Sequence, residues 1–456
     1  MPVQVPKTRW GGIADGRFRP TGFFRTDESN GVFWLVDPDG GRFLSKGVNT
    51  VRFDQDDIYH SIRIPYAEAC QRKYGSKSTW QIAVAGRLAS WGFNTLGSWS
   101  DEAVAAAGPA PLRVTPNLDL GASFAWQKND QSVGEYKQEF PDVFDPEFVV
   151  HIGRRARQLC ETRRGDQSII GWFVDNELRW GPDWRGVDEL LTLFLNLPVA
   201  SPGRAAALAS LRERHHDFER FNSAWRTPAR SWDELGALTR IEPPFLRKPP
   251  YDRSETTEDE ANRADPRRGL FSADCDAFLG LVAERYFELT TAAIKAADAN
   301  HLVLGCRFAY PPPRPAIDAC GRHLDVISFN CHGPDAIGAL ATYAVITGKP
   351  CLIGEFSFRA ADSGLPNTIG AGPVVATQAE RAAGFRHYVT GALQCPQLVG
   401  YHWFEHADQP VEGRFDGENS NYGTVTIDDR VYEEVTRTMA AGNAEAEDIH
   451  SAVAIV

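Results

Sequence analysis

No stretch of this sequence approaches the roughly 20 consecutive apolar residues that a membrane-spanning helix requires, which excludes a helical membrane span. Basic residues are in short supply: 48 Lys and Arg stand against 60 Asp and Glu, for a net charge of -12. Such a surface repels phosphate backbones and anionic lipid, so nucleic acid and membrane surfaces are excluded as partners and a neutral substrate fits better. The eight cysteines, at positions 70, 160, 275, 306, 320, 331, 351 and 395, lack metal-type pair spacing, and several lie inside apolar runs. Neither a CxxC pair nor a His-x-x-x-His helix is present, so buried free thiols are expected and no metal site. The start, MPVQVPKTRWGG, lacks the charged-then-apolar build of a signal peptide. A cytoplasmic protein is expected from the chain as it stands, or a secreted or periplasmic one if a leader has been removed.

What is present is the composition of a soluble globular protein, 43% hydrophobic and 24% charged over 456 residues. The aromatic share is 11%, with 12 Trp. Most of these indoles belong in the core, but flat rings also suit the apolar C–H faces of sugars.

The segment FWLVDPDGGRFLSKGVN reads as strand, Asp-Pro-Asp-Gly turn, strand, a hairpin preceding the main domain. Eight short apolar runs follow, at 43–53, 93–100, 112–120, 169–178, 301–309, 325–333, 350–358 and 398–406. Most run continuously rather than alternating, as buried parallel strands do. Helical patterns separate them, at 79–92, 145–165, 274–300 and 376–393. One run per β-then-α unit predicts a parallel sheet, and eight units predict closure into a (β/α)8 TIM barrel. The alternative, a doubly wound open sheet, wants a glycine-rich phosphate loop after its first strand, and GVNTVRF is not one. Residues 181–272 are too long for a βα loop and carry helical patterns of their own, which predicts a helical insertion over the barrel mouth after strand four. Its polar, Pro-rich end, 242–268, reads as a lid with few anchors. The chain thus divides into a hairpin extension (1–42), the barrel with its insertion (43–440) and a C-terminal tail (441–456).

Active sites of such barrels lie at the carboxyl ends of the strands. Run four ends in Asp175-Asn176-Glu177 and run seven in Gly354-Glu355, far apart in sequence but placed on one rim by topology. Two opposed carboxylates on one rim are what glycoside hydrolysis needs. One protonates the leaving oxygen, and the other attacks the anomeric carbon or activates water there.

Asn-Glu closing strand four, Glu closing strand seven and Trp403 in the strand-eight run YHWF together resemble the clan-A glycoside hydrolases. The resemblance implies a retaining mechanism, with Glu177 as acid/base, Asn176 on the sugar 2-hydroxyl and Glu355 as nucleophile. These roles make demands. Glu177 must be protonated near neutral pH, through poor solvation or the nearby negative charge of Glu355, and Glu355 must stay ionised, which needs donors around it. Arg307 and His332, near the ends of runs five and six, are candidates for that support, a structural salt bridge being the other reading. Trp403 is a candidate floor for a sugar subsite, against a place in the core, and Trp99, ending run two, is a weaker one. Asn49, near the end of run one, joins the candidate substrate-binding set.

The strings GWFVDNELRWG (171–181), FNSAWRTPARSWDEL (221–235), IGEFSFRA (353–360) and VGYHWFEHADQPVEGRFDGENSNYGTV (399–425) sharpen the likeness. They resemble the β-agarase family within that clan and are similar, less closely, to bacterial β-galactosidases, over roughly residues 30 to 440. The polar loop after strand eight, with Asp416, Glu418 and Asn419, suggests sugar contacts, a solvated surface loop being the alternative. The resemblance implies a saccharide substrate and no cofactor. One departure is that β-agarases commonly carry an additional carbohydrate-binding β-domain, where only a short hairpin region precedes this barrel. An exo-acting or oligosaccharide-trimming role on a β-linked, galactose-containing sugar follows as the expectation. A transglycosylase of the same fold and an inactive sugar-binding barrel remain as alternatives.

Overall fold

The computed structural model describes residues 6–128, 140–246, 254 and 262–453. Three short strands open the chain: β1 (Arg25–Ser29), β2 (Val32–Val36) and β3 (Arg42–Phe43), paired antiparallel in that order. The β2–β3 connection is the expected Asp-Pro-Asp-Gly turn, with Gly40 at φ 89°, where a side chain is strained. Asp37 fixes it by accepting the backbone N–H groups of Asp39 (3.0 Å) and Gly41 (2.8 Å).

Eight parallel strands then form the barrel. They are β4 (Ser45–Val48), β5 (Thr95–Leu96), β6 (Arg113–Val114), β7 (Gly171–Phe173), β8 (Leu302–Gly305), β9 (Ile327–Asn330), β10 (Cys351–Phe356) and, after a two-residue ladder of β11 (Arg359–Ala360) with β12 (Val374–Val375), β13 (Leu398–Trp403). Six of them pair in the order β6-β5-β4-β13-β10-β9, and β7 pairs with β8. Parallel bridges Val114–Ile169 and Asn117–Phe173 join β6 to the β7 run, and Phe308–Phe329 joins the end of β8 to β9. The circle is closed, so each apolar run of the sequence supplies one stave.

The opening sheet plugs the amino-terminal end of this barrel. Phe24, Leu35 and Phe43 form one apolar cluster with Ile170, Leu302, Leu304, Val326, Leu352 and Val399, side chains from five barrel strands. Higher up, the interior turns polar. His402 is fully buried with Nε2 at 2.8 Å from Ser45 Oγ, and a Cβ on Gly47 would stand only 2.3 Å from its ring. Burial first, then the Arg307 charge, pushes this imidazole down to about 3, so it is a neutral filler.

The helices expected at 79–92, 145–165 and 376–393 are Lys77–Ser90, Pro146–Cys160 and Gln378–Ala392. Each starts at a side-chain cap, Ser76, Asp145 and Thr377 respectively. The fourth, Arg267–Ala297, begins earlier than its apolar pattern announces and is 31 residues long. Helices Leu190–Leu195, Pro202–His215 and Phe218–Trp225 pack on it, and Trp232–Ala237 adjoins them. The anchor is Asp274, buried in the long helix. It receives Trp225 Nε1 (2.9 Å), His215 Nε2 (2.9 Å) and Arg214 Nε (2.8 Å). Of the segment read as a lid, residues 247–253 and 255–261 lie outside the described residues. At the other end of the chain, helix Glu433–Ser451 runs through position 440 and packs on Gln378–Ala392. All eight cysteines are free thiols, six of them buried.

Candidate active site

Five consecutive barrel strands, β4 to β8, lead into non-glycine residues in the left-handed region: Thr50 (φ 55°), Trp99 (60°), Asp119 (50°), Glu177 (51°) and Arg307 (50°). Such conformations cost about 1–3 kcal/mol each and persist where the surroundings impose them. Here they turn the chain at the carboxyl rim and present side chains to the mouth. The Glu177 N–H is held at 3.2 Å from the Cys306 carbonyl and 3.3 Å from that of Arg307, which ties the fourth strand end to the fifth.

Glu355 reaches the rim by a different device. Ile353 and Phe356 both face the helix layer, yet two residues separate them where strict alternation allows one. The register of β10 slips against β9 between Ile353 and Glu355, and against β13 between Ile353 and Phe356. This bulge turns Gly354 and Glu355 inward together. Glycine is needed at 354: a Cβ there would stand 2.7 Å from Asn330 Oδ1 and 3.1 Å from Arg307 Nη1.

Around these strand ends a single network forms. Arg307 Nη2 donates to Glu355 Oε1 (2.5 Å) and its Nε to Asn176 Oδ1 (2.8 Å). His332 Nε2 lies 3.2 Å from Glu355 Oε2, with its Nδ1 3.0 Å from Ser357 Oγ. Asn330 donates through Nδ2 to Glu177 Oε1 (2.7 Å) and to Asn176 Oδ1 (3.2 Å), while its backbone pairs with that of Glu355. Glu177 and Asn176 are half-buried and so open to the mouth, whereas Glu355 is buried.

The two carboxyl groups are poised apart. Burial first, and then the charge of Glu355, pushes Glu177 up to about 7 against the Asn330 donor. Burial would also raise Glu355, but the Arg307 charge and the His332 contact outweigh it and hold that carboxyl below its ordinary range. Neighbouring carboxyl groups whose surroundings push one up and the other down can divide acid and base work between them. Asp175, just before, is structural. It accepts the N–H groups of Gly121 (2.7 Å) and Ala122 (2.9 Å) and the hydroxyl of Tyr286 (2.6 Å).

The remaining candidates separate. Trp99 is at the site, half-buried, with the Arg307 guanidinium 5.0 Å from its ring centroid. It also lines a cavity of about 140 Å³ together with Leu96, Val114, Pro116 and Asn117. Trp403 is in the core instead: fully buried beside Phe356 and Phe385, it spends its indole N–H on the Tyr422 carbonyl (2.9 Å). Asn49 is likewise fully buried. Its amide donates to the Gly354 carbonyl (2.9 Å) and accepts from Ser98 N–H (2.9 Å), so it fastens strand ends together beneath the site. In the strand-eight loop, Arg414 gathers Asp416 (3.0 Å) and Glu418 (2.8 Å). Asn419 fixes the neighbouring loop by accepting from Thr368 N–H (3.0 Å) and Ile369 N–H (3.1 Å). These three side chains build the loop wall from within. The sequence reading leaves out Asn330, whose side chain binds both the Glu177 carboxyl and Asn176, although its place at the end of the run VISFN marks it as a polar residue at a strand end.

Comparison with known proteins agrees with this architecture. Beta-agarase B of Vibrio sp. (strain JT0107) is 29% identical over 94% of the chain and 49% of its own length. Beta-agarase A of the same strain is 28% identical over 91% of the chain and 44% of its own length. The chain therefore spans about half the length of the curated relatives it matches. A solved exo-beta-agarase has the same fold at a TM-score of 0.78 and 23% identity, covering 97% of this chain and 68% of that one. A cold-adapted beta-galactosidase from Rahnella sp. R3 is more distant, at a TM-score of 0.52 and 11% identity over 84% of this chain and 55% of its own. No family model matches the chain. Along nearly all of its sequence, and in its fold, the chain is similar to the β-agarases.

Proposed function

We propose that this protein is a retaining glycoside hydrolase acting on β-linked, galactose-containing saccharides of the agar type, from the chain end. The observation that carries the reading is the pair Glu177 and Glu355, one carboxyl raised and the other lowered, joined through Asn330, Asn176 and Arg307. The sequence similarity to two β-agarases supports the choice of substrate, and the structural likeness to an exo-beta-agarase supports attack from the end.

In the first step a Glu355 oxygen attacks the anomeric carbon as the bond to the leaving oxygen breaks, and the Glu177 proton passes to that oxygen. In the second, Glu177 takes a proton from water, whose oxygen displaces Glu355 and restores both carboxyl states. Two inversions at one carbon give net retention. Incubation with agarose, agar oligosaccharides and aryl β-galactosides, followed by anomeric NMR, tests this: the first-formed product is expected in the β form. First-formed α product, or no release from any of these substrates, overturns the reading.

The same assignment sets the pH profile. Activity requires Glu177 protonated, so it is expected to fall as pH rises through about 7. It requires Glu355 ionised, so the acid limb lies below the ordinary carboxylate range. The Asn330 amide favours the charged form of Glu177 by donating to it. Asn330→Ala is therefore expected to move the basic limb of kcat/KM to higher pH. A basic limb left in place would remove Asn330 from this role.

A further inference from the structure

Beyond Glu177 the chain makes a tight turn, with Asp183 and Gly186 exchanging backbone hydrogen bonds of 3.0 and 3.2 Å, and carries Trp184 and Arg185 at its tip. Arg185 binds the turn to the active site. Its Nη1 donates to the Glu177 carbonyl (2.8 Å), its Nε to Asp183 Oδ2 (3.0 Å), and its guanidinium carbon lies 4.4 Å from the Trp184 ring centroid. From the next strand end, three residues past Arg307, Tyr310 meets Trp184 edge to face with centroids 6.0 Å apart. Trp184 is 51% exposed and Tyr310 38%.

A large ring held half-open on strand end four, tied through Arg185 to the backbone of Glu177 and braced by Tyr310 of strand end five, is a poor use of aromatic surface unless a ligand covers it. The geometry points to a sugar subsite on the leaving-group side of the scissile bond, with Trp184, braced by Tyr310, as its stacking surface. This rests on the proposed function, because it follows from Glu177 being the group that protonates the leaving oxygen. Whatever is attached to that oxygen must extend away from the Glu355 side and past Glu177, over the turn that Arg185 anchors. The ligand is the pyranose ring next to the cleaved bond in a β-linked oligosaccharide, its C–H face on the indole. A monosaccharide glycoside leaves this surface empty, so Trp184 sets a preference for substrates of at least two sugar units.

The test compares an agar oligosaccharide with β-galactosyl fluoride, whose leaving group has no ring. Trp184→Ala is expected to lower kcat/KM on the oligosaccharide about tenfold more than on the fluoride. Most of that difference should come through KM, and Trp184→Phe should restore most of it. Equal losses on the two substrates, or no loss on the oligosaccharide, would overturn the subsite while leaving the hydrolase reading intact. If the unmodified protein cleaves neither, the hydrolase reading is what has failed. Calorimetric titration of the oligosaccharide into Glu355→Gln and into the Glu355→Gln, Trp184→Ala double variant then decides the surface by itself. A tenfold weaker affinity in the double variant sustains it as a sugar site, and equal affinities end it.

Discussion

Glu355→Gln is expected to lower turnover on every β-glycoside the protein cleaves by on the order of 10⁴-fold or more, the scale seen when a covalent nucleophile is removed. The substitution keeps the shape of the side chain and removes the negative charge that makes its oxygen a nucleophile. It also leaves the Arg307 guanidinium, 2.5 Å from the present carboxylate, facing a neutral amide. Because the loss lies in bond making, a better leaving group should not recover it. Glu177→Gln should behave differently. An aryl oxide leaves with little help from a proton, so that variant should retain much more of the first step on aryl glycosides than on oligosaccharides. Steady-state kinetics of the two variants on both substrate types checks the assignment. Substantial turnover by Glu355→Gln, or equal losses by Glu177→Gln on both substrates, would reverse or dissolve the proposed roles.

Asp429→Ala should destabilise the fold by about 3–5 kcal/mol, the range for stripping one partner from a buried charge cluster. Asp429 is fully buried in the loop after the last barrel strand. It binds Arg87 through both oxygens (3.0 and 2.7 Å), Lys73 (2.8 Å) and the hydroxyls of Tyr66 (2.9 Å) and Tyr74 (2.6 Å). Removing it leaves Arg87 and Tyr66 inside without their acceptor, and it unties helices Pro65–Tyr74 and Lys77–Ser90 from the strand-eight side of the barrel. The same residue should shape acid stability. Burial alone would raise its carboxyl, but hydrogen bonds and charge from Arg87, then the bonds from Lys73 and Tyr74, hold it well below the usual carboxylate range. A depressed carboxyl contributes stability that is fully present above its unfolded pKa and is lost as pH falls toward the folded value. Denaturant midpoints measured from pH 7 downward should therefore fall less steeply in Asp429→Ala than in the parent protein. Parallel profiles would contradict the linkage.

Much of the architecture was legible because barrel strands are buried on both faces and announce themselves as continuous apolar runs. Topology then placed Asp175-Asn176-Glu177 and Gly354-Glu355 on one rim without any knowledge of contacts. Trp403 shows where such reading stops short. Val399 belongs to the barrel interior but Tyr401 and Trp403 to the outer cluster, because the register of β13 slips against β10 between Leu398 and Gly400; alternation counted from Val399 would have turned Trp403 inward. That slip has no mark in the composition of the run, so the sequence alone left Trp403 on either face. Asp416, Glu418 and Asn419 illustrate another limit. Hydroxyl-binding side chains and loop-building side chains are the same residue types, and only the positions of Arg414 and Thr368 tell them apart. The left-handed turns at Thr50, Trp99, Asp119, Glu177 and Arg307 have no compositional mark at all, since none of them is glycine. The motif FNSAWRTP, conspicuous in the sequence, acts through structure: Trp225 rests on Asp274, and Asn222 closes the helix end by accepting from Thr227 N–H (2.7 Å).

The register slip in β10 makes the proposed chemistry a matter of phase. Strand and helix layers are indifferent to whether one or two residues lie between Ile353 and Phe356, since either spacing returns an apolar side chain to the helices. Deleting one residue there would preserve the hydrophobic pattern and the barrel, yet leave a single inward position where Gly354 and Glu355 now share two. A lineage of such barrels can thus gain or lose a nucleophile by a one-residue length change that leaves the core composition unaltered. Alignments scored on apolar positions alone would pass over that event, and counting residues between the outward-facing pair would detect it.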